Sequence, residues 1–328
     1  MPRREDQPWF PQDFLLQQLD RLHGDGRRVG CQSEVRGLCP FHRETQPSFY
    51  VNVRKNVFYC HGGGRGGGPR RFIQLASELL AVPQPERAPA PGEPAAVLEQ
   101  ALAFYQDQLL HHRPAWQYLA QRGVHDPALI AQRGVGYAPG GSLRRYLTRW
   151  GYPLAQLASQ GLVDAQGRDT LYQRIVFPCR DDRGRLVNLY GRSLQAPPPH
   201  RLLPGSKGGL FAWSHLCQAS PILLVEGLFD LAVLWQQGFG NTTCALGTHL
   251  TPTQFSQLCQ LPGRQVAILF DHDHNGAGSQ AAVACARRLA GAGLIPYILS
   301  LPPGHDPSSY CAAGATAADF ARLWEAAA

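Results

Sequence analysis

The sequence predicts an α/β protein whose C-terminal part contains a parallel sheet flanked by helices. From residue 221 onward, short apolar runs typical of buried strands alternate with segments of helical periodicity. The strand-like runs are PILLVEG, TTCALGT, QVAILFDHD and IPYILSL, and the helical segments are LFDLAVLWQQG, TPTQFSQLCQ and SQAAVACARRLAGAG. Because strands that alternate with helices lie parallel, this part forms an open α/β sheet. The 35 Gly and 27 Pro residues also favour short elements over a helical bundle.

Composition indicates a globular protein with room for two or three domains. The chain has 328 residues, of which 44% are hydrophobic and 17% are charged. It contains no apolar run of about 18 residues, and its first residues, MPRREDQPWF, lack the apolar segment of a secretory signal. We therefore expect a cytoplasmic protein without a membrane partner. The 9 cysteines are scattered, and residues such as Cys179, Cys244 and Cys285 lie in apolar surroundings, which is typical of reduced thiols.

The pattern divides the chain into three parts and a linker. Residues 1–82 open with a helical pattern, continue with short strands and form an N-terminal domain. The Pro-rich residues 83–96 form a linker. Residues 97–215 begin with an amphipathic helix over 96–121 and continue as a mixed α+β subdomain, in which RIVFPCR and RLVNLYGRS form a hairpin. Residues 216–328 hold the parallel sheet. The helical pattern at the start consists of Phe14, Leu15, Leu19 and Leu22.

Charge is distributed unevenly along the chain. Residues 1–215 contain 27 Lys and Arg against 17 Asp and Glu, whereas residues 216–328 contain 4 against 7; these add up to the totals of 31 and 24 and the net charge of +7. Of the 31 basic residues all but Lys55 and Lys207 are Arg. An Arg-rich coding bias explains this composition, and so does phosphate binding by planar guanidinium groups; composition does not separate the two.

Acidic side chains follow the predicted strands at their carboxyl ends. Glu226 comes directly after ILLV, with Asp230 one helical turn further on. Asp271 and Asp273 come after AILF, and Asp306 follows the last strand. Active groups collect at this edge of a parallel sheet, and carboxylates without nearby cations suit Mg²⁺ or Mn²⁺. The alternative for each acid taken alone is that it caps the following helix or begins a turn.

Three motifs resemble the TOPRIM fold shared by primases, topoisomerases and some nucleases. VEGLFD, FDHDHNGAG and GHDPSSY are similar in order and spacing to its EG-x-x-D, D-x-D-x-x-G and DPD motifs, and CALGTHLTP resembles the S-L-G-T turn of bacterial DnaG-type primases. The resemblance implies that Glu226 is a catalytic carboxylate that binds metal or acts as a base. It also implies that Asp271 and Asp273 are catalytic metal-binding acids. Asp306 would complete the metal site, Gly227 and Asp230 would shape it, and Asp230 would also bind the metal. Ser308 stands where the family has the second Asp of DPD.

The basic middle segment resembles the stretches that precede TOPRIM in DnaG-type primases. The similar stretches are RGVGYAP, GLVDAQGR, YQRIVFPCRDDRGRLVNLYGRSL and LLPGSKGGLFAW. The resemblance implies that Arg192 and Lys207 contact template or nucleotide, with Arg174, Arg185 and Arg201 as neighbours. A solvated basic face is the alternative. The stretch His200-Arg201-Leu202-Leu203 departs from the family's usual K-Y-L-N.

The N-terminal segment resembles the zinc-binding domain of DnaG-type primases. Cys39 and His42 form a C-x-x-H pair, and Cys60 follows 17 residues later, but Gly63 occupies the position of the family's fourth ligand, a Cys. Three alternatives stay open: Zn²⁺ binds with water, His61 or Cys31 as the fourth ligand; it binds weakly; or the site stays empty. In the family this domain contacts single-stranded template, which here would involve basic and aromatic residues of 49–71. These residues are Arg54, Lys55, Arg65, Arg70, Arg71, Phe49, Tyr50, Phe58 and Tyr59.

The resemblance implies a DNA primase. Such an enzyme makes short RNA primers on single-stranded DNA from NTPs by metal-dependent nucleotidyl transfer, at the nucleoid or the replication fork. We expect a compact form like those of plasmids, phages and integrative elements, without the family's helicase-binding C-terminal domain, so that any contact with a replicative helicase uses other surfaces. A TOPRIM nuclease and a non-catalytic nucleic-acid-binding protein are the alternatives.

Overall fold

The computed structural model describes residues 15, 27–28, 33–42, 44, 46–80, 94–195, 198–271, 277–302 and 304–327. Within these residues the strands form three sheets. The strands are β1 Arg27–Arg28, β2 Glu34–Gly37, β3 Phe49–Asn52, β4 Val57–Cys60, β5 Arg65–Gly67, β6 Gly136–Ala138, β7 Arg174–Arg180, β8 Leu186–Ser193, β9 His200–Leu202, β10 Ile222–Val225, β11 Thr242–Cys244, β12 Gln265–Leu269 and β13 Ile295–Ile298. The helices are α1 Pro69–Leu80, α2 Pro94–His111, α3 Arg113–Gln121, α4 Pro127–Gln132, α5 Leu143–Arg149, α6 Leu154–Ser159, α7 Trp213–Leu216, α8 Leu228–Gln236, α9 Pro252–Cys259, α10 Ala277–Ala290, α11 Pro307–Ala312 and α12 Ala317–Ala327.

The N-terminal sheet is an antiparallel meander, β1 to β5 in chain order. Burial alternates along β3 and β4, so that each strand turns one face to a core and the other to solvent. Four phenylalanine rings from the sheet, a preceding loop and α1 pack together in this core, with centroids 4.9–6.3 Å apart. They are Phe41, Phe49, Phe58 and Phe72. Of the predicted first helical pattern only Leu15 is described, and it is helical and buried; the rest lies outside the described residues.

The helix predicted over 96–121 is two helices, α2 and α3, separated at His112. Pro114 is the physical reason, because it has no N–H to donate to the preceding turn and suits only the first turn of a new helix. The His112 side chain caps α3 by accepting a hydrogen bond from Ala115 N–H at 3.1 Å. α2 starts at Pro94, within the stretch that the sequence assigned to a linker.

The middle segment forms an antiparallel sheet in the order β6-β7-β8-β9. The predicted hairpin is confirmed as β7 and β8, which pair from Arg174↔Ser193 to Arg180↔Leu186. α2, α5 and α6 supply the other side of a separate apolar core around Tyr105 and Leu147. A half-buried glutamine joins this subdomain to the C-terminal part: the Gln236 side chain accepts from the His125 and Asp126 N–H groups at 2.7 and 2.9 Å.

The C-terminal sheet is parallel, in the order β11-β10-β12-β13, which confirms the predicted fold class. Apolar clusters cover both of its faces, as a parallel sheet requires. β10 and β12 lie in the centre with Val225 opposite Leu269. The residues that follow these two strands therefore share one edge of the sheet.

The N-terminal meander packs on the middle segment through α1 and α4. Ala128 and Ala131 of α4 and Leu110 of α2 lie against the phenylalanine core. Arg70 of α1 forms a 3.4 Å ion pair with Asp107 of α2, beside a cleft of about 410 Å³. Among the described residues, no helix is both long and apolar enough to cross a membrane.

Candidate active site and metal centre

The predicted acids lie along the carboxyl edge of the parallel sheet. Glu226 directly follows β10, and its backbone carbonyl accepts hydrogen bonds from Gly247 N–H and the Cys244 thiol, both at 3.1 Å. Asp271 follows β12 by two residues and is partly buried. Asp273 lies outside the described residues. The hydrogen bonds from Cys244 and Gly247 therefore hold the backbone of Glu226 against the loop that follows β11.

Asp230 is a buried carboxylate in the first turn of α8, with 7% of the residue exposed. Burial and the negative charges of Asp271 and Asp306 together raise its pKa to about 6, against hydrogen bonds from Ser308 that lower it. The Ser308 hydroxyl donates to Asp230 Oδ1 at 2.9 Å. Gly227 is required beside it, because a Cβ at this position would lie 2.6 Å from Asp230 Oδ2.

Asp306 is the N-cap of α11. Its carboxylate accepts from Ser309 N–H at 2.6 Å, and the Ser309 hydroxyl accepts from Asp306 N–H at 2.9 Å, which forms a capping box. Asp306 therefore caps the following helix, which is the alternative role that the sequence offered for each acid taken alone. The cap occupies Oδ1 of Asp306, and the negative charge of Asp306 still raises the pKa of Asp230.

The charge and the donor type of these acids suit a hard divalent cation, but among the described residues no three of their oxygens lie within 4.8 Å of one another. Asp230, Asp271 and Asp306 lie close enough for the charges of the latter two to raise the pKa of Asp230. A cation between such groups relieves this repulsion, and carboxylate oxygens are the ligands that Mg²⁺ and Mn²⁺ prefer.

Lys207 brings positive charge to the acidic edge. Its ammonium donates to the Leu246 carbonyl at 3.5 Å, and the next residue, Gly247, is the one that donates to Glu226. The basic middle segment and the carboxylates therefore meet at the loop after β11. Sequence reasoning predicted Lys207 by resemblance but had no signal for this contact.

Arg192 lies on β8 with its guanidinium between Tyr118 and His200. Nε donates to the Tyr118 hydroxyl at 3.3 Å, and Nη1 lies 3.1 Å from His200 Nδ1. The Tyr118 ring contacts the ring of Phe229, which directly precedes Asp230. Burial lowers the pKa of His200, and the charge of Arg192 lowers it further, so that the imidazole is neutral beside the guanidinium. Tyr118 and His200 were not predicted as site residues.

Arg174 is held inside the middle segment. It is only 1% exposed, and its guanidinium donates to the carbonyls of Pro198 at 2.9 Å and Pro199 at 3.4 Å. These contacts support the loop before β9, and a role of Arg174 in template or nucleotide binding stays a prediction. Arg201 is exposed, with one hydrogen bond to the Thr170 carbonyl. Arg185 forms an ion pair with Asp181 in the hairpin turn.

The predicted zinc ligands lie together in the N-terminal segment. Three donor atoms, one from each of Cys39, His42 and Cys60, lie within 4.8 Å of one another. Burial, together with neighbouring Cys60 and Glu44, raises the pKa of the Cys39 thiol to about 12. Because a cation favours the thiolate that these surroundings disfavour, the cluster fits a metal ion. The donor set of two thiols and one imidazole is typical of zinc.

Glu44 is the residue of this centre that sequence reasoning missed. Its Oε2 lies 3.1 Å from His42 Nε2 and accepts from the Ser48 hydroxyl at 2.5 Å. Its Oε1 accepts from Cys39 N–H at 2.6 Å. Burial alone would raise the pKa of Glu44, but these hydrogen bonds lower it below the usual value. A single carboxylate without periodic context gave no sequence signal.

Family models match three consecutive parts of the chain. Residues 28–80 match the CHC2 zinc finger, residues 104–214 match the DNA primase catalytic core N-terminal domain, and residues 223–311 match the Toprim-like family. The chain is 31% identical to the DNA primase of Aquifex aeolicus over 306 residues, which cover 85% of this chain and 61% of that protein. It is 32% identical to the DNA primase of Deinococcus radiodurans over 312 residues, or 86% and 54% of the two chains.

Solved structures show the same architecture. The zinc-binding and RNA polymerase domains of Aquifex aeolicus primase match with a TM-score of 0.66 at 28% identity, over 96% of this chain and 83% of that one. A DnaG primase catalytic domain bound to ssDNA matches with a TM-score of 0.60 at 28% identity, over 71% and 80%.

A zinc-finger segment, a basic subdomain and a parallel sheet with acids at one edge define a TOPRIM protein of the primase class. The chain belongs to the DnaG-type DNA primase family. It spans between about half and two thirds of the length of the curated relatives reported above.

Proposed function

We propose that this protein is a DNA-directed RNA polymerase that makes short primers on single-stranded DNA from NTPs. The contact of Lys207 with the loop that holds Glu226 carries the proposal. It joins a basic surface, which binds phosphates, to a carboxylate edge, which binds divalent cations. The relatives that share this arrangement are named DNA primases, and one of the similar structures is bound to ssDNA.

In the proposed reaction the 3′ hydroxyl of the primer gives up its proton, for which Glu226 can act as the base, and its oxygen attacks the α-phosphorus of an incoming NTP. A new O–P bond forms, the bond to the β-phosphate oxygen breaks, and pyrophosphate leaves. Bound Mg²⁺ or Mn²⁺ would neutralise phosphate charge and orient the attacking oxygen, held by Asp271, Asp306 and their neighbours. Lys207 supplies a point charge, and Arg192 supplies a planar fork for phosphate oxygens. Glu226 is the catalytic carboxylate.

The N-terminal segment contributes zinc and template binding in this proposal. Its exposed residues include five cations and Tyr59, which is 48% exposed, and single-strand binding uses such charges and stacking surfaces. The cations are Arg54, Lys55, Arg65, Arg70 and Arg71. Phe49 and Phe58 belong to the core, which leaves Tyr59 as the more suitable stacking surface.

The test is RNA synthesis from labelled NTPs on mixed-sequence single-stranded DNA with Mg²⁺ or Mn²⁺. We expect template-dependent oligomers from the wild type and a loss of at least about 100-fold with Asp271→Ala, because mutations that remove a preorganised charge in the active site have effects of this size. Glu325→Ala removes an exposed carboxylate from α12 and serves as the matched control, with unchanged synthesis expected.

Two results would contradict the proposal. The first is the absence of oligomers from a folded, metal-loaded protein; cleavage of the DNA by that sample would favour a TOPRIM nuclease instead. The second is undiminished synthesis by Asp271→Ala, because this result removes the carboxylate edge from the reaction.

A further inference from the structure

The two ring nitrogens of His42 have different partners in the cysteine–histidine cluster. His42 Nδ1 lies 3.8 Å from Cys60 Sγ, whereas Nε2 lies 3.1 Å from the Glu44 carboxylate. A ring nitrogen that donates to a carboxylate carries the proton, so the other nitrogen keeps its lone pair for a metal. The contact with Glu44 therefore selects Nδ1 as the metal-binding nitrogen.

Glu44 also joins the three ligand segments. Besides the contact with His42, it accepts from Cys39 N–H at 2.6 Å and from Ser48 N–H at 3.1 Å. The Ser48 hydroxyl, which donates to Glu44, lies 3.3 Å from Cys60 Sγ. One carboxylate thus restrains the loop of Cys39, the ring of His42 and, through Ser48, the thiol of Cys60.

Gly63, which has no side chain, lies beside two of the ligand atoms, His42 Nδ1 and Cys60 Sγ. A Cβ at this position would lie 3.3 Å from His42 Nδ1 and 3.5 Å from Cys60 Sγ, so a side chain here would point at the ligands. The backbone of Gly63 is outside the left-handed region, which means that a cysteine could be accommodated. Residues 61–65 are exposed, which opens this space to small molecules.

His61 points away from the cluster. Its ring makes edge contacts with Tyr50 and Tyr59, with centroids 5.1 and 4.9 Å apart. Among the described residues, the ligand group consists of Cys39, His42 and Cys60 alone. Cys31 lies outside the described residues, and the variant Cys31→Ser tests whether Cys31 binds the metal.

We propose that the metal held by Cys39, His42 and Cys60 keeps its fourth position open to a small external thiol, and that Glu44 positions His42 for coordination. The fourth position adjoins Gly63, whose missing side chain would point at His42 Nδ1 and Cys60 Sγ. Zinc prefers four ligands, and a thiol supplies the soft donor that completes the set. This inference does not depend on primer synthesis.

The open position is tested with Co²⁺ in place of zinc and 2-mercaptoethanol as the probe. The thiolate-to-cobalt absorption of the wild type should rise by about half when the thiol is added, because a third thiolate joins two. Gly63→Cys should show the higher absorption from the start and not respond. Cys31→Ser should behave as the wild type. The proposal fails if the wild type does not respond, or if Cys31→Ser lowers the absorption.

The role of Glu44 is tested by metal affinity, measured in competition with a chromophoric chelator. Glu44→Gln should weaken binding about 10- to 100-fold, as the loss of such a partner does in other metal sites. Glu34→Gln is the matched control on β2 of the same N-terminal segment, where Glu34 accepts from the Asn52 amide at 3.2 Å. The ¹⁵N shifts of His42 in the metal-loaded wild type should show a protonated Nε2. Equal affinities of the two variants, or a protonated Nδ1, would overturn this role.

Discussion

At the residue scale, the departure from the DPD motif changes what holds Asp230 in place. Ser308 stands where the family has an acid, and its hydroxyl and N–H both reach Asp230 Oδ1, at 2.9 and 3.3 Å. A second aspartate there would add a negative charge to a carboxylate already surrounded by Asp271 and Asp306. The serine instead donates a hydrogen bond, which stabilises the buried carboxylate.

Ser308→Ala should therefore destabilise the metal-free protein. The variant loses a hydrogen bond to a buried charged group, which typically contributes about 1.5–3 kcal/mol to the free energy of unfolding. Urea unfolding measures the change. Ser159→Ala is the control, because that exposed hydroxyl donates only to a carbonyl of its own helix and should change stability by less than about 0.5 kcal/mol. Equal effects of the two substitutions would refute this account of Ser308.

His112 makes stability depend on pH. Burial lowers its pKa below the usual 6.5, and its Nδ1 accepts the capping hydrogen bond from Ala115, which the protonated ring cannot do. The unfolded chain takes up the proton first, so this stability is complete above about pH 6.5 and is lost as the pH falls.

The measurement is urea unfolding at pH 7.5 and 5.5. His112→Asn keeps a capping side chain but does not titrate, so between these pH values the wild type should lose about 1 kcal/mol more than the variant, the usual contribution of an N-cap. An equal loss in both proteins would exclude His112 as the cause.

At the element scale, the start of α8 shows how a strand, a turn and a helix place one acid. β10 ends at Val225, Gly227 is the N-cap of α8, and Asp230 lies in its first turn. The backbone of Gly227, with φ −107° and ψ 155°, would accept any residue. The need for glycine therefore comes from the Asp230 carboxylate beside it and not from the turn.

Gly227→Ala should displace Asp230 from Ser308. The new Cβ would lie 2.6 Å from Asp230 Oδ2, so the carboxylate has to move. We expect a loss of about 1–3 kcal/mol in unfolding free energy, as is typical of overpacking, together with reduced primer synthesis. Gly291→Ala is the control, because its Cβ would make ordinary contacts at 3.5 Å or more. Retained activity and stability in Gly227→Ala would show that Asp230 is not held as described.

The sequence predicted elements whose cause is local and missed those that depend on distant partners. The β7–β8 hairpin has a turn signal and apolar strands, and the parallel sheet follows from strand–helix alternation. The break at His112 was missed although Pro114 marks it, because apolar spacing continues through both helices. Arg174 and Arg192 share one strand pair and one residue type, and only tertiary packing makes the first buried and the second partly exposed.

At the scale of the whole molecule, two kinds of contact join the three parts of the chain. Gln236 of α8 joins the C-terminal part to the middle segment through three hydrogen bonds, two of them partly buried. The N-terminal meander is held mainly by apolar contacts of α4, since Arg70 and Asp107 are 57% and 51% exposed in their side chains. An exposed ion pair contributes only about 0–1 kcal/mol, so Arg70→Ala should leave this junction intact.

Ala131→Asp should instead separate the meander from the middle segment. The new carboxylate would lie against the phenylalanine core that Ala131 now contacts, and an unpaired charge is costly in apolar surroundings. Small-angle X-ray scattering should show a larger radius of gyration for this variant than for the wild type. Ala120→Asp places the same charge on the exposed side of α3 and should not change it. If both variants keep the wild-type radius, the apolar contacts at α4 do not hold the meander in place.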